Sequence, residues 1–441
     1  MNVKAKLGIP IATAIWLTMA TSASQAEYST GIGHSSEFSD NADLSETDKY
    51  DQREDRTWLD LGLEFNRSQW QLDSQYRFTN VHFDSDSPTP QPNNDEIIGA
   101  TTFSAIGFKQ RAQLDITHNR ENLLGTPGDL ELQRNLRARD TLTVSPRYFL
   151  QQSSRQQVYV SGLYNQVRND EQLNVNNSID SDTTGWSLGV NRRLTDVDTV
   201  GLQLKSLTTD YDTPFARKND YTSLLTYYAV ELRQVNYSLA LGYNISKVSD
   251  QEDIKSPMAA ITLGFDSGVT QIDFATQYLI TDTSRGDRAT GDASITQESA
   301  GLGNGNSNIV SRYDLLISNL DISQQLTTTF STTLRLQYAT QDHTPDDSQD
   351  QQTWSAVLSL RQRVNPRWSW DISARQSELA FDQDNGNDNT TNVYNWNLNY
   401  QASPKLAFGL NLGQTNRDSG PNGRTYDEQR VSLEVTYQLR P

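Results

Sequence analysis

The chain has 441 residues, with 37 basic and 55 acidic side chains, a net charge of -18 and no cysteine. The acidic balance argues against a nucleic-acid partner, whose phosphates require a basic surface, and the lack of cysteine excludes disulfides and thiolate metal sites. Only 35% of the residues are hydrophobic, which would give a soluble chain of this size a thin core. A wall with one apolar and one water-facing side needs fewer apolar residues.

Residues 1–26 have the pattern of a secretory signal peptide. Two lysines precede an apolar run from Leu7 to Met19, and a small-residue cleavage site ends at Ala26. The run is too short to cross a bilayer as a helix, and no other segment reaches ~18 consecutive apolar residues, which argues against a helical inner-membrane protein. The sequence therefore predicts an exported chain with 27–441 as its single mature domain.

From residue 27 onward, apolar and polar residues alternate in about 20 segments, each long enough to cross a membrane as a tilted strand. Between Tyr394 and Tyr400, for example, every second residue is aromatic or leucine and the others are asparagine. A period of two is typical of a strand with one apolar and one polar face. Strands of soluble proteins are usually shorter than these segments.

The connections between the segments alternate between short and long. Short ones such as Arg67-Ser68 are followed by long ones such as 84–95. Outer-membrane barrels have short periplasmic turns and longer extracellular loops. We therefore predict an all-β fold, a transmembrane antiparallel up-and-down β-barrel of about 20 strands in the outer membrane of a Gram-negative bacterium. Its last strand should pair with the first, residues 27–36, and a soluble secreted β-protein is the architectural alternative.

Aromatic residues near the short turns predict a girdle at the periplasmic interface, because amphipathic rings gather where membrane meets water. The predicted girdle consists of Trp58, Trp70, Tyr148, Tyr159, Tyr227, Tyr237, Trp368 and Trp370. A second set nearer the long loops consists of Tyr76, Trp186, Tyr211, Tyr243, Tyr278, Tyr338, Trp354 and Tyr394. Strands favour aromatic residues in any case, so the prediction depends on their placement beside successive turns.

Three short segments stand out: Ser39 to Ser45, with the sequence SDNADLS, then Asn119 to Asn122 and Thr141 to Pro146. They resemble an outer-membrane barrel family associated with exopolysaccharide and PEP-CTERM systems, and the likeness covers most of the mature chain. The resemblance implies a barrel linked to export of a surface or secreted polysaccharide, with no catalytic residues to carry over. The chain departs from such proteins at its end, where Pro441 replaces the aromatic residue that the assembly machinery recognises.

The polar positions of the strands should line a water-filled lumen. The candidates are Asp73, Arg77, Arg111, Asp115, Arg147, Lys205, Asp273, Arg335, Arg361, Asp371, Arg375, Asn395, Asn397, Asn399 and Glu434. Both charge signs occur, so strong ion selectivity is not predicted. The amides offer donors and acceptors to sugar hydroxyls, although any water-filled barrel is lined with polar residues.

An enzyme is not predicted, and the sequence implies neither a metal nor another cofactor. The four histidines are not accompanied by a nucleophile motif, and His118 with Asn119, close to Asp115, is the only suggestive cluster. The acidic segment 382–388 does not have the spacing of a calcium-binding EF-hand loop.

Three functions remain open at this point. The first is a passive conduit for polysaccharide export, with outer-membrane lipid, lipopolysaccharide, the barrel-assembly machinery and periplasmic export components as partners. The second is a general or substrate-selective diffusion porin, and the third is a structural or adhesive barrel with an occluded lumen. The glycine-containing loop 283–306 could constrict the mouth or lie outside it.

Overall fold

The structure is a computed structural model. It describes residues 26–88, 91–107, 109–124, 136–169, 180–212, 218–248, 253–282, 312–344, 350–382, 388–421 and 424–440. Residues 1–25 of the predicted signal peptide 1–26, the loop 283–306 and most of the acidic segment 382–388 lie outside these residues, whereas Ala26 is the first described residue. In the part of the chain that is described, no helix is long and apolar enough to span a membrane.

Twenty β-strands follow one another along the chain. Their bounds are β1 Ala26–Ser39, β2 Gln52–Arg67, β3 Trp70–Ser85, β4 Asn94–Gly107, β5 Ala112–Leu124, β6 Leu136–Gln152, β7 Gln156–Asn169, β8 Asp180–Arg193, β9 Asp198–Asp212, β10 Lys218–Glu231, β11 Val235–Val248, β12 Ile254–Asp266, β13 Thr270–Asp282, β14 Arg312–Thr327, β15 Phe330–Thr344, β16 Gln351–Arg363, β17 Trp368–Phe381, β18 Asn389–Ser403, β19 Leu406–Ser419 and β20 Tyr426–Arg440.

Each strand pairs antiparallel with its neighbours in the chain, and β1 also pairs with β20, so the 20-stranded sheet is closed. His34 lies opposite Val435 in this last pairing, which has one irregularity at Thr30 and Gly31. Closure leaves no strand edge without hydrogen-bond partners, a condition that any strand structure in lipid must meet. The predicted closed antiparallel barrel of 20 strands is confirmed.

The register divides the wall into two faces of opposite character. Ile32 of β1 lies opposite Leu59 of β2, and Leu59 lies opposite Phe78 of β3. These three apolar side chains are 48%, 39% and 41% exposed. Large apolar residues exposed all around a barrel form the outer, lipid-facing band. We call the opposite side, with Asp60 and Arg77, the inner face.

Short turns connect the strands at one end of the barrel and longer loops connect them at the other. In the turn after β12, Gly268 has a φ of 82° and its amide donates to the Asp266 carboxylate at 2.6 Å. In the turn after β16, the Asn365 side-chain oxygen accepts bonds from the amides of Arg367 and Trp368 at 2.8 and 3.0 Å. Glycine allows the positive φ of such a turn, and the side chains of Asp and Asn accept hydrogen bonds from its backbone amides.

Candidate functional site: the barrel interior

Within the described strands, the inner face is the surface that would contact a solute in the lumen. The register places there Asp73, Arg77, Asp115, Arg147, Lys205, Asp273, Arg335, Arg361, Asp371, Arg375, Asn395, Asn397, Asn399 and Glu434. Arg111 is different, because it belongs to the turn before β5 and not to a strand. The lumen prediction for Arg111 is therefore corrected to a turn position.

Two of the predicted lumen arginines form ion pairs with a neighbouring strand on the inner face. Arg77 Nε lies 2.7 Å from an oxygen of Asp60, and Arg335 Nε lies 2.8 Å from an oxygen of Asp321. Their carboxylates were not among the predicted lumen residues. Asp60 could have been found from its alternation with leucines at 59 and 61. Each of these arginines links two strands through its carboxylate partner. The partner also offsets the positive charge, so a solute in the lumen meets little net charge at the pair.

A strip of asparagine amides follows the inner face of β18 and β19. The Asn397 amide donates to the Asp371 carboxylate at 2.8 Å, and Asn411 donates to Asn397. Asn395 and Asn399 lie opposite Gly413 and Gly409. We call Asn395, Asn397, Asn399 and Asn411 the amide strip. Because two of its asparagines lie opposite glycines, there is open space on the wall directly beside the hydrogen-bonding amides.

The wall from β7 to β13 differs from the rest because its inner face carries few charges. Apart from residues at strand ends, its inner charges in the described strands are Lys205 and Asp273. Hydroxyl groups pair across its strands instead, at 2.6 Å between Ser161 and Ser187 and at 2.7 Å between Ser238 and Thr262. The lumen therefore has a neutral hydroxyl-rich sector and a charged sector that includes the amide strip.

Exposure of the inner face changes along the barrel axis. Asp73 near the short turn and Arg77 in the middle of β3 are exposed. Near the loops, Thr209, Asn244 and Gln341 are 0% exposed, although they lie on the same face. On β2, β5 and β18 the inner positions toward the loops, such as Glu54, Asn119 and Thr391, are half-buried.

The first loop, residues 40–51, docks onto the last strand. Its Asn41 side chain is 0% exposed and donates to the carbonyls of Ser45 and Asp427, both at 2.8 Å. Lys49 lies 2.7 Å from the Asp427 carboxylate, and Leu44 packs against Tyr426. The segment Ser39 to Ser45, which carried the sequence resemblance, therefore forms an ordered contact across the seam between β1 and β20.

Three of the predicted girdle residues lie on the inner face and are corrected here: Trp58, Tyr159 and Tyr227. Each ring occupies space that a glycine leaves on a neighbouring strand, namely Gly33, Gly189 and Gly201, where an added Cβ would come within 3.0 Å of the ring. Arg77 and Arg147 lie over the rings of Trp58 and Tyr159, at 5.1 and 4.9 Å from the ring centres. These aromatic residues belong to the lining of the lumen.

The other predicted girdle residues lie on the outer face: Trp70, Tyr148, Tyr237, Trp368 and Trp370. In the second set, Tyr211 is the exception, since it lies on the inner face and is 4% exposed. The other rings of the second set lie on the outer face, in the middle of their strands or toward the loop end. Aromatic rings on the lipid-facing side are typical of outer-membrane barrels.

The histidine cluster suggested by sequence does not assemble as expected. His118 points to the outer face, whereas Asn119 and Asp115 lie on the inner face. Among the described residues there is no group of three or more His, Cys, Asp or Glu side chains that could hold a metal ion. The inner face presents hydrogen-bonding amides, hydroxyls and charged groups.

No protein-family model and no curated protein matches this sequence. Solved structures do match its fold. The FrpB iron transporter from Neisseria meningitidis, F5-1 variant, aligns with a TM-score of 0.50 at 10% identity, over 94% of this chain and 83% of that one. Its F3-3 variant has a TM-score of 0.51 at 9% identity, over 93% and 81%. The outer membrane protein opdK from Pseudomonas aeruginosa has a TM-score of 0.40 at 11% identity, over 94% and 99%. The fold is that of an outer-membrane β-barrel.

Proposed function

We propose that this chain is a passive conduit in the outer membrane of a Gram-negative bacterium, through which a surface or secreted polysaccharide leaves the cell. The observation that carries the proposal is the exposure of the inner face toward the short turns, as at Asp73, while inner residues near several loops, such as Thr209 and Gln341, are buried. Short turns face the periplasm in such barrels. The lumen is thus accessible from the side on which an exported polymer would enter.

The chemistry of the wall also supports a neutral, hydroxyl-rich cargo. The amide strip and the paired hydroxyls of the β7–β13 sector offer both donors and acceptors. Two of the lumen arginines are held by carboxylates, which weakens any strong preference for an ion of one sign. A sugar polymer could exchange hydrogen bonds with this wall as it moves, because contacts that are numerous and individually weak allow release.

The direct test measures block of the channel by a neutral sugar. The triple variant Asn395→Ala, Asn397→Ala and Asn399→Ala is compared with wild type in planar bilayers, with a neutral oligosaccharide added from the turn side. We expect oligosaccharide block in wild type and at least a tenfold higher blocking concentration in the variant. The matched control removes three asparagines of the outer face, Asn80→Ala, Asn392→Ala and Asn416→Ala, which do not line the lumen, and should change the blocking concentration by less than about threefold.

The cellular test is deletion of the gene. Surface or secreted polysaccharide should disappear while its biosynthetic precursors persist, and unchanged export would contradict the cargo assignment. A diffusion porin is the second candidate, favoured by the lumen charges of both signs. It predicts steady conductance that neither oligosaccharide nor any polysaccharide locus affects. Absence of conductance under every condition would instead indicate an occluded structural barrel.

A further inference from the structure

The outer face of β3 interrupts the apolar band with polar side chains. Counted from the short turn, the third and fourth outward positions of β3 are Ser74 and Tyr76. The corresponding positions of β11 are Leu239 and Leu241, which are 43% and 50% exposed. The polar pair lies between Leu72 and the outward Phe78, so it falls within the lipid-facing band and not beyond it.

Hydrogen bonds connect this pair to the next two strands. Ser74 Oγ lies 2.9 Å from Thr101 Oγ1 on β4, and Thr101 donates to the Tyr76 hydroxyl at 3.2 Å. The Tyr76 hydroxyl lies 2.6 Å from Nδ1 of His118 on β5. The four side chains form one connected row on the outer wall.

A glycine makes the contact between Tyr76 and His118 possible. Gly99 lies between them on β4, opposite Tyr76 in the register. A Cβ at Gly99 would come within 3.0 Å of the Tyr76 ring. Since glycine has no side chain, the ring can lie across β4 and reach β5. The two rings stack with centroids 6.1 Å apart.

The row continues toward the loops through charged groups. His118 Nε2 lies 3.4 Å from an Asp140 oxygen, and Arg120 forms an ion pair with the same carboxylate. The side chains of His118, Arg120 and Asp140 are 19%, 21% and 31% exposed. We call Ser74, Thr101, Tyr76, His118, Asp140 and Arg120 the outer polar track. It runs from inside the apolar band to the level where the outward residues become charged.

Polar groups at such positions are costly in a bilayer. Hydrocarbon offers no hydrogen-bond partner, so a hydroxyl that loses its partner there costs on the order of several kcal/mol. Ionisable groups on membrane-facing positions generally mark functional sites. The outer polar track keeps its hydrogen bonds internal, and its charged end remains partly accessible from the outside of the barrel.

We propose that the outer polar track binds the headgroup of a phosphorylated glycolipid in the outer leaflet. Arg120 and His118 would face phosphate, and Asp140 would accept hydrogen bonds from sugar hydroxyls. Tyr76, Thr101 and Ser74 lie deeper, within the apolar band, and hold His118 in place through their hydrogen bonds. This inference rests on the outer-membrane location proposed above and is independent of the cargo.

The test measures glycolipid binding to delipidated protein in detergent, with bisphosphorylated lipid A as the probe and phosphatidylglycerol as the comparison lipid. The variant is Tyr76→Phe with Arg120→Gln, and the matched control on β11 is Tyr243→Phe with Lys247→Gln. We expect the track variant to bind lipid A at least tenfold more weakly than wild type, and the control to stay within about threefold. Phosphatidylglycerol should bind wild type at least tenfold more weakly than lipid A.

Correct folding is checked by the heat-dependent gel mobility of a closed barrel. If the double variant does not fold, His118→Gln is measured in its place and should lose at least threefold in lipid A affinity. Equal loss in the track variant and the β11 control, or equal binding of the two lipids, would overturn the proposal. Such a result would leave oligosaccharide block unaffected, so the two proposals fail separately.

Discussion

At the scale of single residues, the inner wall is shaped by rings that lie flat over glycines. Trp58 covers Gly33, and its ring in turn supports Arg77, whose guanidinium lies 5.1 Å away. The arrangement fixes the direction of Arg77 from two sides, because Asp60 also binds it. A bulky aromatic residue therefore occupies lumen wall without projecting far into the lumen.

Gly33→Ala should destabilise the barrel, since the new methyl group would come within 3.0 Å of the Trp58 ring. We expect a loss of about 1–3 kcal/mol, the usual cost of overpacking. Gly31→Ala, two residues away, is the control, because its Cβ would meet its nearest atoms at an ordinary 3.7 Å. Unfolding in urea, followed by gel mobility, measures both. Equal stability of the two variants would contradict the packing argument.

The ion pair between Asp321 and Arg335 should contribute much less to stability. Its side chains are 38% and 46% exposed, and exposed pairs typically contribute about 0–1 kcal/mol. Asp321→Asn should therefore unfold within about 1 kcal/mol of wild type in the same urea titration. A loss above about 2 kcal/mol would show that the pair lies in a drier environment than its exposure indicates.

The sequence alone is enough to predict the face on which Trp58 lies, but not the glycine that its ring covers. Trp58 shares its parity with Asp60 and not with Leu59, so strict alternation places it on the inner face, against the girdle prediction that followed from its closeness to a turn. The glycine beneath it could not be predicted in the same way. Gly33 becomes its neighbour only through the register of β1 with β2, and alternation alone does not set register.

At the scale of elements, the first loop is held by one side chain more than by any other. Asn41 accepts a bond from the Ser45 amide at 2.9 Å and donates to Ser45 and Asp427. Asn41→Ala would leave these buried backbone groups without side-chain partners, at a cost of about 2 kcal/mol. We expect faster amide hydrogen exchange across 40–51.

The control for this prediction is Thr47→Ala in the same loop, where the hydroxyl is exposed and its contact to Asp48 is a long 3.4 Å. Exchange in that variant should match wild type. If Asn41→Ala also matches wild type, the loop is held by its other contacts, which include those of Lys49, Leu44, Asp43 and Asp40. Limited proteolysis of folded protein in detergent would give an independent measure of the same opening.

Strand positions were predictable and loop docking was not. The first strand was expected at residues 27–36 and extends over Ala26–Ser39, because period-two alternation fixes a strand but not where its pairing ends. The contact of Asn41 with Asp427 joins positions 386 residues apart. Local sequence patterns carry no information about such a separation.

At the scale of the whole molecule, the lumen is polarised between its two sectors. Arg361 and Arg375 are exposed on the charged side, whereas the opposite β7–β13 sector is nearly neutral. Replacing both arginines with alanine should shift the reversal potential in a potassium chloride gradient toward cation preference, because fixed positive charge would leave the lumen. Arg155→Ala, in the turn after β6, is the control and should leave the reversal potential unchanged.

The global architecture followed from the sequence because membrane constraints are few and strict. Few folds other than a closed barrel combine strands of this length, alternating apolar and polar residues, and connections that are short and long in turn. The division of the lumen into sectors could not be predicted from single strands. The lining residues of β8 and of β18 are both polar, although the two strands belong to different sectors. Which residues share a sector depends on the order of strands around the barrel.

The docking of the first loop on β20 also bears on the order of folding events. The two partners lie far apart in the sequence, with separations of 378 to 389 residues in these contacts. A contact between residues so far apart in the sequence forms late in folding. The entropy lost on closing such a long loop is compensated only after the intervening strands have paired. Slow amide hydrogen exchange at Asn41 and its neighbours therefore indicates that the barrel is completely assembled. Pulse labelling with deuterium would detect this state without a transport measurement.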